Sequence, residues 1–166
     1  MFTKVETLKQ IQTISRLAQE IWEESYFPIV GKEQAEYMLK KFHSTEVITH
    51  QILEENHVYF LIEQDNRPAG YLATLPWLEN LHLSEICVKP SPRSSEQNRS
   101  AIHFAERIAC ELGKPFITLT ANKCNSNAIA TYSRWGFCIV DEVVLDIGNG
   151  FVTNDYVMRK QMLAES

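Results

Sequence analysis

Residues 116–137 constrain the fold more than any other stretch of this chain. The β-prone run Phe116-Ile117-Thr118-Leu119-Thr120 leads through a polar turn into a short helix, and Gly136 stops that helix before another strand begins. Asn125 or Ser126 can cap the helix, because a short side-chain oxygen satisfies an N–H of the first turn that has no partner in the helix. Ala128, Tyr132 and Trp135 fall at i, i+4 and i+7, so they share one face. Gly136 suits the left-handed position just past a helix end. On pattern alone the segment is a strand–helix–strand unit whose helix lays an aromatic face on a sheet.

The rest of the chain supplies the sheet. A short strand over residues 2–6 precedes a helix in which Ile11, Ile14, Leu17, Ala18, Ile21 and Trp22 recur at three- and four-residue steps. Pro28 breaks it, since the residue before a proline is pushed out of helical geometry. A second helix carries Ala35, Met38, Leu39 and Phe42 on one face, and residues 44–55 form a third. Residues 57–63 and 70–75 read as strands joined by a polar turn, a hairpin, and residues 81–89 as a third strand. A long helix follows, with Ala101, Ile102, Ala105, Ile108, Ala109 and Leu112 on one face and Gly113 and Pro115 at its end. Residues 138–146 and 151–160 pair across Gly148-Asn149-Gly150, where Asn-Gly between two β runs signals a hairpin. Strands and helices in this order predict an α/β fold with a mixed central sheet flanked by helices.

Composition narrows the function. At 166 residues, 45% of them hydrophobic and 22% charged, the chain is expected to form a single domain over residues 1–166 with one sizeable core. A net charge of −5 argues against nucleic acid as a partner, because phosphate contacts need a basic surface, and it suits a cationic substrate. No apolar run approaches the ~20 residues of a membrane span, and residues 1–6 lack a signal-peptide pattern, so the expected location is cytoplasmic. Cys87, Cys110, Cys124 and Cys138 are widely spaced and read as small core residues in a reducing compartment. The five histidines form no cluster with ligand spacing, so no metal is expected. A homodimer stays open.

Asn125-x-x-Ala128, Tyr132 four residues later and then Gly136-Phe137 resemble the acetyl-CoA-contacting helix of the GNAT superfamily of N-acetyltransferases. The element order over essentially the whole chain resembles that superfamily too. Ile21-Trp22-Glu23-Glu24-Ser25-Tyr26, Gln34-x-x-Tyr37-Met38-Leu39, Asp146-Ile147-Gly148-Asn149-Gly150-Phe151 and Asp155-Tyr156-Val157-Met158 are similar to its bacterial spermine/spermidine acetyltransferase branch. The resemblance implies a GNAT-type (acyl-CoA N-acyltransferase) fold that uses acetyl-CoA as a substrate. It implies transfer of the acetyl group to a small primary amine by direct attack, with a polyamine as the first candidate acceptor.

One motif departs from the family. Its members hold the acetyl-CoA pyrophosphate on Gln/Arg-x-x-Gly-x-Gly/Ala, where free N–H groups at a helix start face the anion and glycine lets the backbone approach. The matching residues are Arg93-Ser94-Ser95-Glu96-Gln97-Asn98, with Glu96 and Asn98 in place of glycine or alanine. Ser94-x-x-Gln97 reads instead as a capping box. Two readings follow: a helix start that still offers the amides of Ser95, Glu96, Gln97 and Asn98, helped by Arg93 and Arg99, or a non-catalytic GNAT-fold binding module that has lost its phosphate cradle.

The resemblance makes Tyr132 the expected acid for the departing thiolate and Asn125 a partner of the pantetheine arm. The backbone of Ile86, Cys87 and Val88 is then expected to bind that arm as well. Simple alternation puts Leu83, Glu85 and Cys87 on one strand face and His82, Ser84 and Ile86 on the other. Glu85 is a candidate base, acting directly or through water, or an anchor for a substrate ammonium, and His82 is its rival. Nothing beside Cys87 or Cys124 in sequence would lower a thiol pKa, which argues against covalent catalysis.

Overall fold

The computed structural model describes residues 1–163. Strand β1 (Phe2–Lys4) leads into helices α1 (Leu8–Ser25), α2 (Phe27–Val30), α3 (Lys32–Phe42) and α4 (Thr45–Glu54). Strands β2 (Val58–Gln64), β3 (Arg67–Pro76) and β4 (Asn80–Val88) follow, then α5 (Ser94–Glu111), β5 (Phe116–Asn122), α6 (Ser126–Arg134), β6 (Cys138–Gly148) and β7 (Phe151–Gln161). The seven strands form one mixed sheet in the order β1-β2-β3-β4-β5-β7-β6. All neighbours are antiparallel except β4 and β5, which run parallel because α5 returns the chain between them.

Apolar layers cover both faces of the sheet. Ile14, Leu17, Trp22, Ala35, Leu39 and Ile48 from α1, α3 and α4 pack against Tyr59, Tyr71 and Cys87. On the opposite face Ala101, Ile102, Ala105 and Ala109 of α5 pack against Leu72, Leu81, Leu83, Ile117 and Met158. The alanine stripe brings α5 close to the sheet, and Leu112, expected on that stripe, is exposed instead.

Two details position the cleft described below. Strands β4 and β5 pair only at Asn80–Phe116, Leu81–Ile117 and His82–Thr118, and beyond these they diverge. On the other side of β4, Ala73 pairs with Glu85 but Thr74 pairs with Leu83, so Ser84 bulges from the ladder. The bulge reverses the side-chain alternation. Leu83 lies in the α5 layer with Ile86 and Val88, whereas Cys87 lies in the α1 layer. The expected single face of Leu83, Glu85 and Cys87 is thereby corrected. Gly70 holds β3 tight against this stretch, since a Cβ there would collide with the Cys87 carbonyl oxygen and lie 2.9 Å from Val88 Cα.

Helix starts explain two further outcomes. Thr7 caps α1 in a full capping box: Thr7 Oγ1 accepts from Gln10 N–H at 3.2 Å and Gln10 Oε1 accepts from Thr7 N–H at 2.9 Å. The box expected at Ser94-x-x-Gln97 does not form. Arg93 takes the cap position without a side-chain bond, Ser94 Oγ donates to the Ser91 carbonyl at 2.9 Å, and the Gln97 amide donates to Gln64 Oε1 at 3.4 Å. Ser91 has drawn the serine away, because its carbonyl and its Oγ bond Ser94 and Arg93 into a turn. Of the four cysteines only Cys87 is buried; Cys110, Cys124 and Cys138 are exposed, which corrects their expected place in the core.

Candidate active site

The divergence of β4 from β5 opens a cleft that α5 and α6 border. Its larger part is a cavity of about 680 Å³ running from the start of α5, at Ser94, Ser95 and Asn98, along Ile86, Cys87 and Val88 to Tyr132 and Trp135 of α6. A smaller cavity of about 170 Å³ continues on the helical side, between Trp22, Met38, Phe42, His43, Glu85, Thr153 and Asp155. Tyr26, Ile86, Asn125, Ala128 and Tyr132 line both, so the two meet at Tyr132.

Helix α6 presents Tyr132 as its spacing predicts. Asn125 is the cap, its Oδ1 accepting from Ala128 N–H at 3.3 Å, and Gly136 ends the helix at φ +97°. The Tyr132 ring packs edge-on against Trp135 and Phe137, with centroids at 6.1 and 5.9 Å. Burial, and then the neighbouring Cys87 and Glu85, hold its hydroxyl well above the ordinary phenol range, so it stays protonated.

Glu85 sits at the floor of the smaller cavity. Its Oε1 lies 3.5 Å from His43 Nε2, and Cys87 Sγ donates weakly to its Oε2 at 3.9 Å. A quarter of the side chain still reaches solvent (26%), yet the carboxyl is walled by protein and desolvation pushes its pKa up to about 8. The same cause lowers His43, which is almost fully buried, to about 4, so the histidine is neutral at pH 7. Burial likewise drives the Cys87 thiol far up, which leaves no thiolate for covalent chemistry. Trp22 Nε1, Tyr71 Oη and His43 Nδ1 are buried without hydrogen-bond partners among the described residues.

Asp155 of β7, part of the branch resemblance but given no role by the sequence, joins this cavity. It has no ion-pair partner among the described residues, and burial raises its pKa. The cavity therefore holds two carboxyl groups and no lysine or arginine. Trp22 and Tyr26 stack one helical turn apart at the end of α1, while His43 and Asp155 come from distant elements that only the topology brings to them. His82 is not part of the cleft: its Nδ1 lies 2.9 Å from Thr118 Oγ1, its ring stacks on Trp77, and burial lowers it to about 4.

The loop residues divide. Ser95 and Asn98 line the larger cavity, and Asn98 Nδ2 donates back to the Ser94 carbonyl at 3.0 Å. Glu96, which stands where the family has glycine, turns outward, 71% exposed and 3.7 Å from Arg93, so its carboxylate does not line the cavity. Arg93 and Gln97 line a different groove with Arg67 and Lys89, away from the cleft. Arg99 stacks on Trp135 with its guanidinium 5.2 Å from the ring, at the cleft rim. No group of His, Cys, Asp or Glu that could hold a metal occurs among the described residues, and no helix among them is long and apolar enough to cross a membrane.

A mixed sheet opened at one parallel strand pair, with a helix start at the opening, places the protein in the acyl-CoA N-acyltransferase class of folds. The chain belongs to the acetyltransferase (GNAT) family, whose profile matches residues 14–137. Its fold is similar to that of the PaiA N-acetyltransferase of Thermoplasma acidophilum, solved in complex with coenzyme A: TM-score 0.79 at 19% identity over 97% of this chain and 99% of that one. It is also similar to the ribosomal-protein-S18-alanine N-acetyltransferase of Escherichia coli, with TM-score 0.73 at 15% identity over 100% and 96% of the two chains. A third, the aminoglycoside 6′-N-acetyltransferase of Enterococcus faecium, gives TM-score 0.63 at 15% identity over 100% and 99%.

Proposed function

We propose that this protein is an acetyl-CoA-dependent N-acetyltransferase whose acceptor is a small primary amine, a polyamine being the first candidate. The observation that carries this reading is the meeting of the two cavities at Tyr132. The larger one has the extended form that a pantetheine arm needs, with the β4 backbone from Ile86 to Val88 along one side, Asn125 at α6, and the α5 start at its far end. The free amides of Ser95 and Glu96 begin an 18-residue helix whose dipole favours a pyrophosphate. With Glu96 turned outward, the reason to read the loop as disabled weakens, and the non-catalytic alternative loses its main support.

The smaller cavity suits an amine. Asp155, joined by Glu85 once that carboxyl ionises, supplies negative charge without a competing lysine or arginine, and Trp22, Met38 and Phe42 supply apolar walls for a hydrocarbon chain. Glu85 takes a proton from the incoming ammonium so that nitrogen attacks the thioester carbonyl as a neutral amine. The pKa near 8 makes it a stronger base than an ordinary carboxylate. As the carbon–sulfur bond breaks, Tyr132 Oη donates its proton to the leaving thiolate, and the acylated nitrogen gives up its remaining extra proton to restore the phenol, so that one proton in total stays on Glu85 and passes to solvent. Asn125 and the β4 amides keep the thioester beside Tyr132.

Isothermal titration with acetyl-CoA, followed by an acceptor screen beginning with spermidine and spermine, tests this reading. Binding of acetyl-CoA and turnover with at least one primary amine are expected. No acetyl-CoA binding and no acetylated amine would make the chain a non-catalytic member of its family.

A further inference from the structure

We propose that strand β6 pairs antiparallel with β6 of a second copy of this chain, centred on Val143. This rests on the sheet edge alone and is independent of the function proposed above. β6 is the outer strand of the sheet, and only β7 flanks it. From Cys138 to Asp146 every residue is exposed except Val143, which is half-buried, so neither face of this edge is covered. Ile139, Val140, Val144 (64% exposed) and Leu145 (54%) stand there bare, beside Val152 of β7. An exposed apolar edge strand presents N–H and C=O groups to any strand that fits; here the Glu142 N–H donates to Asp141 Oδ1 at 2.8 Å and exchanges that local bond for one across the interface.

The choice of occupant follows from register and charge. Val140 and Ile147 have no partner in β7, so bulges bound a regular run over 141–146. When a strand pairs antiparallel with its own copy, facing residues must turn their backbone groups the same way, so the two-fold axis passes through a residue. Centring on Asp141, Glu142 or Asp146 sets an acid against itself. Centring on Val144 sets Glu142 against Asp146, a repulsion that the Lys123 ammonium, 3.3 Å from Glu142, offsets only in part because both groups are partly exposed. Centring on Leu145 leaves only three residues before the bulge. Val143 alone gives a five-residue ladder, with Glu142 facing Val144 of the second copy and Asp141 facing its Leu145, and no acid facing an acid. The acids that blunt this edge against other registers thus permit one self-complementary register, in which Val143 and Leu145 are covered.

Sedimentation velocity from about 1 µM to about 1 mM, the span over which weak interfaces dissociate, tests the proposal. The expected result is a concentration-dependent species of twice the 19.1 kDa chain mass. Val144→Lys places a cation opposite Glu142 twice per dimer and is expected to tighten the dissociation constant about tenfold. Val144→Glu places acid against acid and weakens it by about the same factor. Both changes lie at an exposed position, and unchanged melting temperatures verify the fold. A wild-type chain that stays monomeric throughout would overturn the proposal, and so would Lys and Glu variants that shift the dissociation constant in the same direction.

Discussion

His43 Nε2 stands 3.5 Å from Glu85 Oε1, and burial moves the two groups in opposite directions: the histidine down to about 4, the carboxyl up to about 8. Between those values the pair carries no net charge, with histidine neutral and the carboxyl protonated. Above about 8 the carboxylate forms in front of a histidine that cannot neutralise it. With Glu85 as the base, kcat/KM rises with pH below about 8 and levels off above it, because kcat/KM follows ionisation in the free enzyme. Glu85→Gln removes that limb and lowers the plateau by roughly 10²-fold or more. A pH profile of kcat/KM for the two proteins checks both points.

The same shift governs stability. Glu85 has a pKa raised above its ordinary value of 4.5, so between 4.5 and about 8 the folded state binds the extra proton, and stability from this group falls as pH rises through that window. His43, lowered from 6.5 to about 4, acts in reverse: its contribution is complete above 6.5 and is lost as pH falls toward 4. Thermal melts of Glu85→Gln should therefore exceed those of wild type most clearly at pH 9 and little at pH 5. A variant that gains as much at pH 5 would contradict the raised carboxyl.

Tyr132→Phe tests the acid. Turnover is expected to fall by roughly 10²–10⁴-fold, the usual contribution of a positioned proton donor. Acetyl-CoA affinity and melting temperature should scarcely change, since phenylalanine keeps the ring packed against Trp135 and Phe137. Normal turnover would reduce Tyr132 to a packing residue.

At the α5 start the two departures from the family pattern separate. Asn98 lines the cavity and Glu96 does not. Asn98→Gly is expected to tighten acetyl-CoA binding about tenfold, roughly one hydrogen bond to a charged group, while costing the helix about 1 kcal/mol. Glu96→Gln should leave affinity within about twofold, as for an exposed charge screened by solvent. Titration calorimetry on the two variants distinguishes them.

Asp155 is expected to hold the cationic acceptor. Asp155→Asn should raise the KM of the amine by about tenfold and leave kcat within a few-fold, the pattern of lost binding that ground and transition states share. An equal fall in kcat would place Asp155 in the proton path instead.

Much of this architecture was legible because it rests on local spacing. The Asn125 cap, the Ala128–Tyr132–Trp135 face and the Gly136 stop all lie within a dozen residues, and α6 follows them. What escaped depends on distant partners. The Ser84 bulge arises from how β4 registers with β3, so the alternation of Leu83, Glu85 and Cys87 could not reveal that they part company. Thr7-x-x-Gln10 and Ser94-x-x-Gln97 have the same capping pattern, yet only the first forms, because Ser91 and Gln64 compete for the second. Asp155 belongs to a segment that carries the branch resemblance, yet the sequence attaches no role to it, because that role depends on Glu85 reaching the same cavity from another strand.

The early parting of β4 from β5 has a thermodynamic side. After His82 the facing backbone of β4 has no strand to bond, so its amides and carbonyls along the cleft must be solvated by water. A ligand with amide groups of its own, laid along that edge, would take the place of a missing strand and exchange those waters for fixed partners. Hydrogen exchange at Ile86 and Val88 would then slow on binding far more than at Leu81, where the protein has already closed its own ladder.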